Sequence, residues 1–599
     1  MTSKRPVRIA NFSGSMGDRF DAFAQALHGE AVDVMFGDSM TEAFESMVIA
    51  KFLNRPQDRK DFYSQHFLDQ LLPELASVAR KGVKIITNAG VFNPKGLAEV
   101  ICSATAEQRL PLRVAYVSGD DLSDRAAAMV HGGQLTDMDT GACPAPPVSD
   151  MLAVNAYLGG WGIKTALDEG ADIVITGRVA DASMVTGPAA WWHGWNHSEL
   201  NKIAGAIAAG HILECGPQAT GGNFSGFTRL RHNVLPGFPI AEIAEDGSSV
   251  ITKRASEGGS VTVDTVTAQL MYEIQGPVYL NPDANWHVNS VSLSQVAPDR
   301  VRIFGARGSA PSPTTKVNIH HKAGYRGAMW VFPTGLRIDE KVAVLEAQAS
   351  LAAQDHELDE LRFFVCGRQV EDPRDQWEAT VPVQLAVAAG SEETVRRFLA
   401  QFASYWLGSI PGFYTEITRV FSDTPQARID YTAALVPQSV VQHRVHLPDG
   451  RILDIAPPPR CRAFTGQPAG PTTRPTWPGA YGPTVRRPLG DVIHARAGDK
   501  GADANLGVWV SDPAAYPWLA SYLTTCELCR LLGLDGGDTV ERYEQPSING
   551  ISFVLKGYFT PSGSANLVLD QIGKSLGEFL LARHADIPCF LLDTSSKNS

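Results

Sequence analysis

The stretch ADIVITGRVADAS (171–183) decides how the N-terminal part of this chain folds. Its centre, Ile173-Val174-Ile175, is apolar and β-branched without polar alternation, which suits a strand covered on both faces. The run then stops abruptly in small and polar residues. Four other segments follow the same grammar: VRIANF (7–12), AVDVMFG (31–37), VKIITNAG (83–90) and LRVAYVSG (112–119). Between them lie helix-patterned stretches, DRFDAFAQALHG (18–29), YSQHFLDQLLPELASVARKG (63–82) and NAYLGGWGIKTALDEG (155–170). This βαβα rhythm predicts an α/β fold with a doubly wound, largely parallel sheet and flanking helices. In such sheets ligands collect at the carboxyl ends of the strands. The loops NFSGSMGD (11–18), TNAGVFNP (87–94), VSGDDL (117–122) and ITGRVADAS (175–183) are therefore expected to share one mouth.

With 599 residues the chain is too long for one core, and the usual domain size predicts roughly three to five units. A net charge of −12 argues against nucleic acid or an anionic membrane as the main partner. The 44% hydrophobic content is ordinary for a globular protein, and no window approaches the run of about 18 apolar residues that spans a bilayer. The start, MTSKRPVRIANF, has neither the apolar core of a signal peptide nor a transit-peptide pattern, so a cytoplasmic location is expected. Eight scattered cysteines suit reduced thiols. The one CxxC pair, Cys526 and Cys529, falls in SYLTTCELCRLLGL (521–534), read as an apolar helix with core thiols and no metal.

Residues 1–460 read as an α/β domain with a subdivision near 230. Beyond that point GSVTVDTVTAQLMYEI (259–274), NSVSLSQVAPDRVRIFGA (289–306) and TKVNIHHKAG (315–324) are read as strand-rich. EKVAVLEAQASLAAQ (340–354) and EETVRRFLAQFASYW (392–406) read as helices. Residues 461–485 are rich in Pro and Gly and read as a linker. Residues 486–599 read as a compact α+β unit, with one strand in YEQPSINGISFVLKG (543–557) and a closing strand and helix in SANLVLDQIGKSLGEFLLAR (564–583).

Several motifs carry chemistry, each beside a plainer reading. In FSGSMGDRF (12–20), Gly14 and Gly17 allow a backbone to approach phosphate or carboxylate, or form a turn with Asp18 as a helix cap. Asn88 and Asn93, at the next strand end, are candidate substrate contacts. The neighbours Asp120 and Asp121 repel, so one is held protonated as an acid or both face a divalent cation; an Asx turn is the alternative. Arg178 and Asp181 form an ion pair that either is structural or leaves the guanidinium to grip a carboxylate in bidentate fashion. His193 and His197 have the i, i+4 spacing of a metal face, without an acidic third ligand, and read better as part of an aromatic patch. In ILECGPQATGGNFSGF (212–227), Gly216, Gly221 and Gly222 describe a loop lining a ligand, whose amides would hold an oxyanion; Cys215 as nucleophile is the second reading. HARAGDKGADANLGVW (494–509) brings Asp499, Lys500, Asp503 and Asn505 into one turn, for acid/base work, anion anchoring or locking of an interface.

Taken together, ITNAGVFNP (86–94), VSGDD (117–121), YLGGWGIKTALDEGADIVITGRVADASMVTGP (157–188), GHILECGPQATGGNFSGF (210–227), EGGSVTVDTVTAQLMYEI (257–274), HARAGDKGADANLGVWV (494–510) and VERYEQPSINGISFVLKG (540–557) resemble the acyclic terpene utilization (AtuA) family. That resemblance implies an N-terminal AtuA domain followed by a smaller ferredoxin-like α+β domain. It also implies metabolism of branched acids derived from citronellol- and geraniol-type terpenes, through acyl-CoA thioesters. The expected activity is hydration, dehydration or C–C lysis beside a carbonyl, with Asp120 and Asp121 as acid/base groups. The alternatives are a non-catalytic acyl-binding or assembly subunit serving acyl-CoA carboxylase or lyase partners, and a tailoring enzyme of secondary metabolism. The expected partner is a small acid or acyl-CoA, with a homo-oligomer or an acyl-CoA enzyme as further candidates; no motif demands NAD, flavin, biotin or PLP. Where many relatives read NAGG this chain reads NAGVF, which changes the backbone at Gly90 and Val91.

Overall fold

A computed structural model describes residues 4–144, 146–230, 234–416, 424–469, 481–534 and 539–595. Residues 470–480, the middle of the expected linker, lie outside the described residues.

The five apolar runs become five neighbouring parallel strands. Val7–Ser13 lies beside Val34–Gly37, followed by Lys84–Thr87, Ile173–Ile175 and Val114–Ser118. Their residues are buried on both faces: Ile9, Val34, Phe36, Ile85, Ile86 and Val174 have no exposed surface. On one face pack helices Ala22–His28, Gln65–Leu71, Leu75–Lys81 and Pro94–Glu107, on the other Trp161–Asp168, Ser183–His193 and Leu200–Leu213. Both edges of this parallel core are extended by antiparallel strands. Pro239–Ile243, Ser249–Lys253, Arg300–Phe304 and Ser292–Ala297 follow on one side, Arg444–His446 and Ile452–Asp454 on the other. The expected parallel order thus holds for the centre, while most pairings of the eleven-stranded sheet are antiparallel. Short reversals such as residues 244–248 can join only antiparallel neighbours.

Some expectations fail locally. GSVTVDTVTAQLMYEI holds helix Val263–Leu270, because Thr262 and Thr265 form a reciprocal capping box that outweighs the β-branched composition. The start of NAYLGGWGIKTALDEG is the end of strand Met151–Ala156, and its helix begins only at Trp161. That strand pairs with the long strand Thr314–Val331 of a second, antiparallel sheet, which also includes Gln426–Pro437, Val383–Ala389 and Glu360–Val365. Helices Ile338–Ala353 and Glu392–Ser404 fall where the periodicity placed them.

The C-terminal unit is a four-stranded antiparallel sheet in the order His494–Lys500, Asp503–Trp509, Gly550–Leu555, Val540–Gln545. The expected single strand of residues 543–557 is a hairpin, turned at Pro546–Ile548 with Asn549 left-handed. The expected strand of residues 564–583 does not form there: that stretch holds helix Leu576–Ala582, and strand His584–Pro588 and helix Cys589–Ser595 follow it. Helix Thr525–Leu532 carries Cys526 exposed and Cys529 buried. Among the described residues no helix is long and apolar enough to cross a membrane.

Candidate functional site

The carboxyl ends of the parallel strands do meet in one place. After the first strand, Ser13 Oγ donates to the Asp38 carbonyl at 3.0 Å. Asp38 and Ser39 are held in turn by Asn88, whose Nδ2 donates to Asp38 Oδ1 at 2.7 Å and whose Oδ1 accepts from Ser39 N at 2.6 Å. The loops of residues 117–122 and 175–183 are joined by Asp120 Oδ2, which accepts from Arg178 N at 2.8 Å. Gly14 approaches the turn at residues 215–216 so closely that a Cβ there would stand 2.6 Å from the Cys215 carbonyl carbon. Glycine is required at that position for steric reasons, and the four loops share a rim with the 216–222 turn.

At the centre of this rim sits Arg178, with no exposed surface. Its Nη1 donates to the Met40 carbonyl at 2.9 Å, and its guanidinium stacks on the Tyr157 ring at 4.1 Å. Nη2 lies 3.2 Å from Asp181 and 3.7 Å from Glu42. Glu42 starts helix Glu42–Lys51, where Thr41 caps the first turn through Phe44 N. The same carboxylate accepts from Tyr157 Oη and lies 3.1 Å from Lys316 Nζ, while Asn318 Nδ2 donates to Tyr157 Oη at 2.8 Å.

The C-terminal unit completes the site. Lys500, on the hairpin of residues 494–509, donates to Glu273 Oε2 at 2.9 Å. Asn505 fixes that contact, accepting from Glu273 N and donating to the Ile274 carbonyl, each at 2.8 Å. Lys574 donates to Tyr272 Oη, and Arg496 lies over the same ring at 4.6 Å while donating to Gln218 Oε1 at 2.5 Å.

These neighbours sort the ionisable groups into charged and neutral sets. Burial would raise the Glu42 pKa, but Lys316, Arg178 and Lys500 together hold it well below the carboxylate range. Glu273 is likewise lowered against its burial, by Lys500 and Lys574. Lys500 is raised well above its ordinary value despite burial, by Glu273, Glu42, Tyr279 and Asp181. Burial pushes the other carboxyls the opposite way: Asp120 to about 6, Glu45 and Asp499 to about 7, with Asp38, Asp181 and Glu214 also raised. The site therefore combines fixed charges with carboxyls that can exchange protons near neutral pH.

The expected residues divide accordingly. Asp120, Arg178, Asp181, Asp499, Lys500 and Asn505 converge, with Gly14 and Gly216 in the supporting backbone and Asn88 holding Asp38. Asp121 is exposed and accepts from Ser123 N, as in the Asx-turn alternative, while its charge adds to the burial that raises Asp120. Asn93 caps helix Pro94–Glu107 through Gly96 N. Asp18 accepts from Gly14 N and Arg19 N, and the following helix starts only at Ala22; Gly17 has no neighbour near its Cβ direction. The expected oxyanion donors are already engaged, since Gly221 N donates to the Gln218 carbonyl and Gly222 N to the Pro217 carbonyl. Cys215 is half-buried, and burial with Glu214 and Glu273 nearby raises its thiol well above its ordinary value, which favours the ligand-lining loop over the nucleophile among the two expectations. Asp503 turns away to Lys556 and Gly557 N. His193 ends its helix and bonds the Ile243 carbonyl, and His197 lies beyond the left-handed Gly194 against Trp161, so the two share no helical face.

Glu42, Glu45, Tyr157, Glu273, Lys316, Asn318 and His320 escaped the sequence reading. One signal was present: in TKVNIHH, Lys316, Asn318 and His320 alternate and thus share one strand face, which covers Glu42 and Glu45. Among the described residues no group of three or more His, Cys, Asp or Glu is placed to hold a metal ion. A solvent-open hollow of about 420 Å³ lies elsewhere, lined by Asn201, Arg302, Arg307 and residues 246–248 and 304–306. It lacks this set of perturbed acids.

A family model described as "Acyclic terpene utilisation family protein AtuA" matches residues 7–447, and one described as "AtuA ferredoxin-like domain" matches residues 487–586. No curated protein and no solved structure matches the chain.

Proposed function

The chain belongs to the AtuA family of acyclic terpene utilisation proteins, and on that premise we propose that it is an enzyme acting on a branched-chain or isoprenoid carboxylic acid, free or as its CoA thioester. Membership supports a role in acyclic terpene utilisation. The proposed chemistry is hydration, dehydration or C–C lysis beside the carbonyl.

The observation that carries this reading is the Arg178 fork. Nε and Nη2 form the side-on edge of the guanidinium; among the described residues neither meets hydrogen-bond geometry, although the side chain is fully buried and Nη2 stands 3.2 Å from Asp181 as an ion pair. That edge matches the two oxygens of a carboxylate, or a carbonyl oxygen acquiring charge. Arg178, Lys500 and Lys316, the last lowered by burial, face the ionised Glu42 and Glu273 and the raised Asp181, a set of cations that suits an anionic head group. Asp120 and Glu45, both pushed toward neutrality, supply proton exchange nearby. The assembly-subunit alternative, with the C-terminal unit as docking module, draws less support, because that unit's hairpin is engaged with residues 273–274 of the same chain.

Calorimetry with a panel of branched short-chain acids and their CoA thioesters tests the proposal. Wild type is expected to bind at least one, and Arg178→Lys, which keeps the charge and loses the fork, to weaken that binding about 30-fold, or about 2 kcal/mol. Binding unchanged in Arg178→Lys, or absent from the wild type across the panel, overturns it.

A further inference from the structure

Near the Arg178 fork, Glu45 belongs to a second set of buried polar groups. Glu45, His320 and Arg59 are 0%, 0% and 4% exposed. They come from three separate elements, helix Glu42–Lys51, strand Thr314–Val331 and the turn Pro56–Asp61. Neither carboxyl oxygen of Glu45 has a hydrogen-bond partner among the described residues, nor have Nε and Nη1 of Arg59; the ring nitrogens of His320 make no well-formed hydrogen bond, the Glu42 carbonyl being their nearest backbone partner. Glu45 Oε2 and His320 Nε2 stand 3.6 Å apart, too far for a good direct bond and close enough for one oxygen to bond both at about 2.8 Å. Asn318, two residues along the same strand face, and its register neighbour Asn155 each bring a further unpaired buried amide oxygen.

So many orphaned groups constrain what can lie among them. Each costs about 1–3 kcal/mol if it stays unpaired, so the cluster selects a polar occupant. The guanidiniums of Arg59 and Arg178 disfavour a cation, while the carboxyl, imidazole and amide oxygens disfavour an apolar group. Water, donating and accepting at once, satisfies both kinds.

We propose that Glu45, His320 and Arg59 enclose a reactant water, and that Glu45 moves its proton during addition of that water to a substrate held on Arg178. This rests on the reading under Proposed function and specifies its chemistry. In an α,β-unsaturated acyl substrate the water oxygen bonds to the β-carbon, and its proton passes to Glu45. The C=C electron pair moves toward the carbonyl oxygen on Arg178. Glu45 then returns the proton to the α-carbon, so one water is consumed and the carboxyl is restored. Dehydration is the same path reversed.

The surroundings of Glu45 suit this exchange. Its carboxyl is pushed up to about 7 by burial; Arg178 and Lys316 lower it, and Glu42 and Asp181 raise it. Arg59 and Tyr157 face it as well. His320, buried beside the Glu42 carbonyl, is lowered to about 3 and so is neutral, which allows it to orient the water without competing for the proton.

A high-resolution crystal structure of the full chain is expected to show an ordered oxygen bonded to Glu45 and to His320 or Arg59. Incubation with 3-methylbut-2-enoyl-CoA in H₂¹⁸O is expected to give a β-hydroxyacyl product carrying one ¹⁸O. Glu45→Gln is expected to slow that turnover at least 100-fold while calorimetric binding stays within threefold, and Glu45→Asp to recover part of the rate. A direct Arg59–Glu45 ion pair without water, no hydration of this probe, or full activity in Glu45→Gln overturns the inference. Loss of all acid binding by the wild type instead overturns the substrate reading, so the two failures are distinct.

Discussion

Replacing Lys500 by Met should loosen the C-terminal unit from the rest of the chain by a calculable amount. Lys500 and Glu273 lie 2.9 Å apart with side chains about one-fifth exposed (20% and 19%), a charge-assisted hydrogen bond largely shielded from water. Such bonds contribute about 1.5–3 kcal/mol, and about 2 kcal/mol corresponds to roughly a 30-fold change in the opening equilibrium. The Glu273 amide reports that opening, because it donates to Asn505 across the same junction. Hydrogen exchange read by mass spectrometry on peptides covering 263–275 should therefore show protection falling about 30-fold in Lys500→Met. The sign with pH follows from Glu273, whose folded pKa lies below its ordinary 4.5. Its contribution is complete above about pH 4.5 and is lost as pH falls through the lowered value. The difference between wild type and variant should thus be full near neutrality and shrink in acid. Protection that changes less than threefold at pH 7, or Lys500→Met and Glu273→Gln effects that simply add, would refute the coupling.

Other perturbations separate the remaining roles. Asp120 is raised from 3.8 to about 6, so the folded state binds its proton more tightly and stability falls as pH rises between those values. Asp120→Asn should therefore melt higher than wild type at pH 8, by roughly 3 kcal/mol of stability, with little difference at pH 4; the exposed Asp121→Asn should stay within about 0.5 kcal/mol throughout. Alkylation at pH 7.5 with site-resolved mass spectrometry should label the exposed Cys143, Cys366 and Cys526 well before Cys215, and preferential labelling of Cys215 would restore it as a nucleophile. Val91, a β-branched residue at φ 48°, carries strain of order 1–3 kcal/mol that glycine relieves. Val91→Gly should consequently cost about 1 kcal/mol or less in denaturant titration, against about 2–3 kcal/mol for the equally buried Val48→Ala.

Apolar periodicity disclosed the parallel centre because Ile173–Ile175 and its four counterparts are buried on both faces and have no other use. It misjudged Val263–Leu270, where two threonines act through hydroxyl capping and not through β-propensity. The antiparallel edges depend on pairings between strands distant in the chain, such as Arg444–His446 against Val114–Ser118, which no local pattern encodes. The site was legible where glycine and charge sit together at a strand end, as at Arg178 and Lys500. It was hidden at Glu42 and Glu45, since two glutamates in a first helical turn look like ordinary dipole partners. Only the polar face of Lys316, Asn318 and His320, folded over them from 274 residues away at the Lys316–Glu42 pair, shows that they point inward.

The Lys500–Glu273 junction has a consequence for biosynthesis. Its members are 227 positions apart, so at about 5–20 residues per second the ribosome takes roughly 11–45 seconds to add the lysine after the glutamate. During that interval the nascent protein carries an incomplete charge set, and no molecule that ends before Lys500 can present a finished centre to metabolites. Arming of the chemistry therefore waits for synthesis of the C-terminal unit.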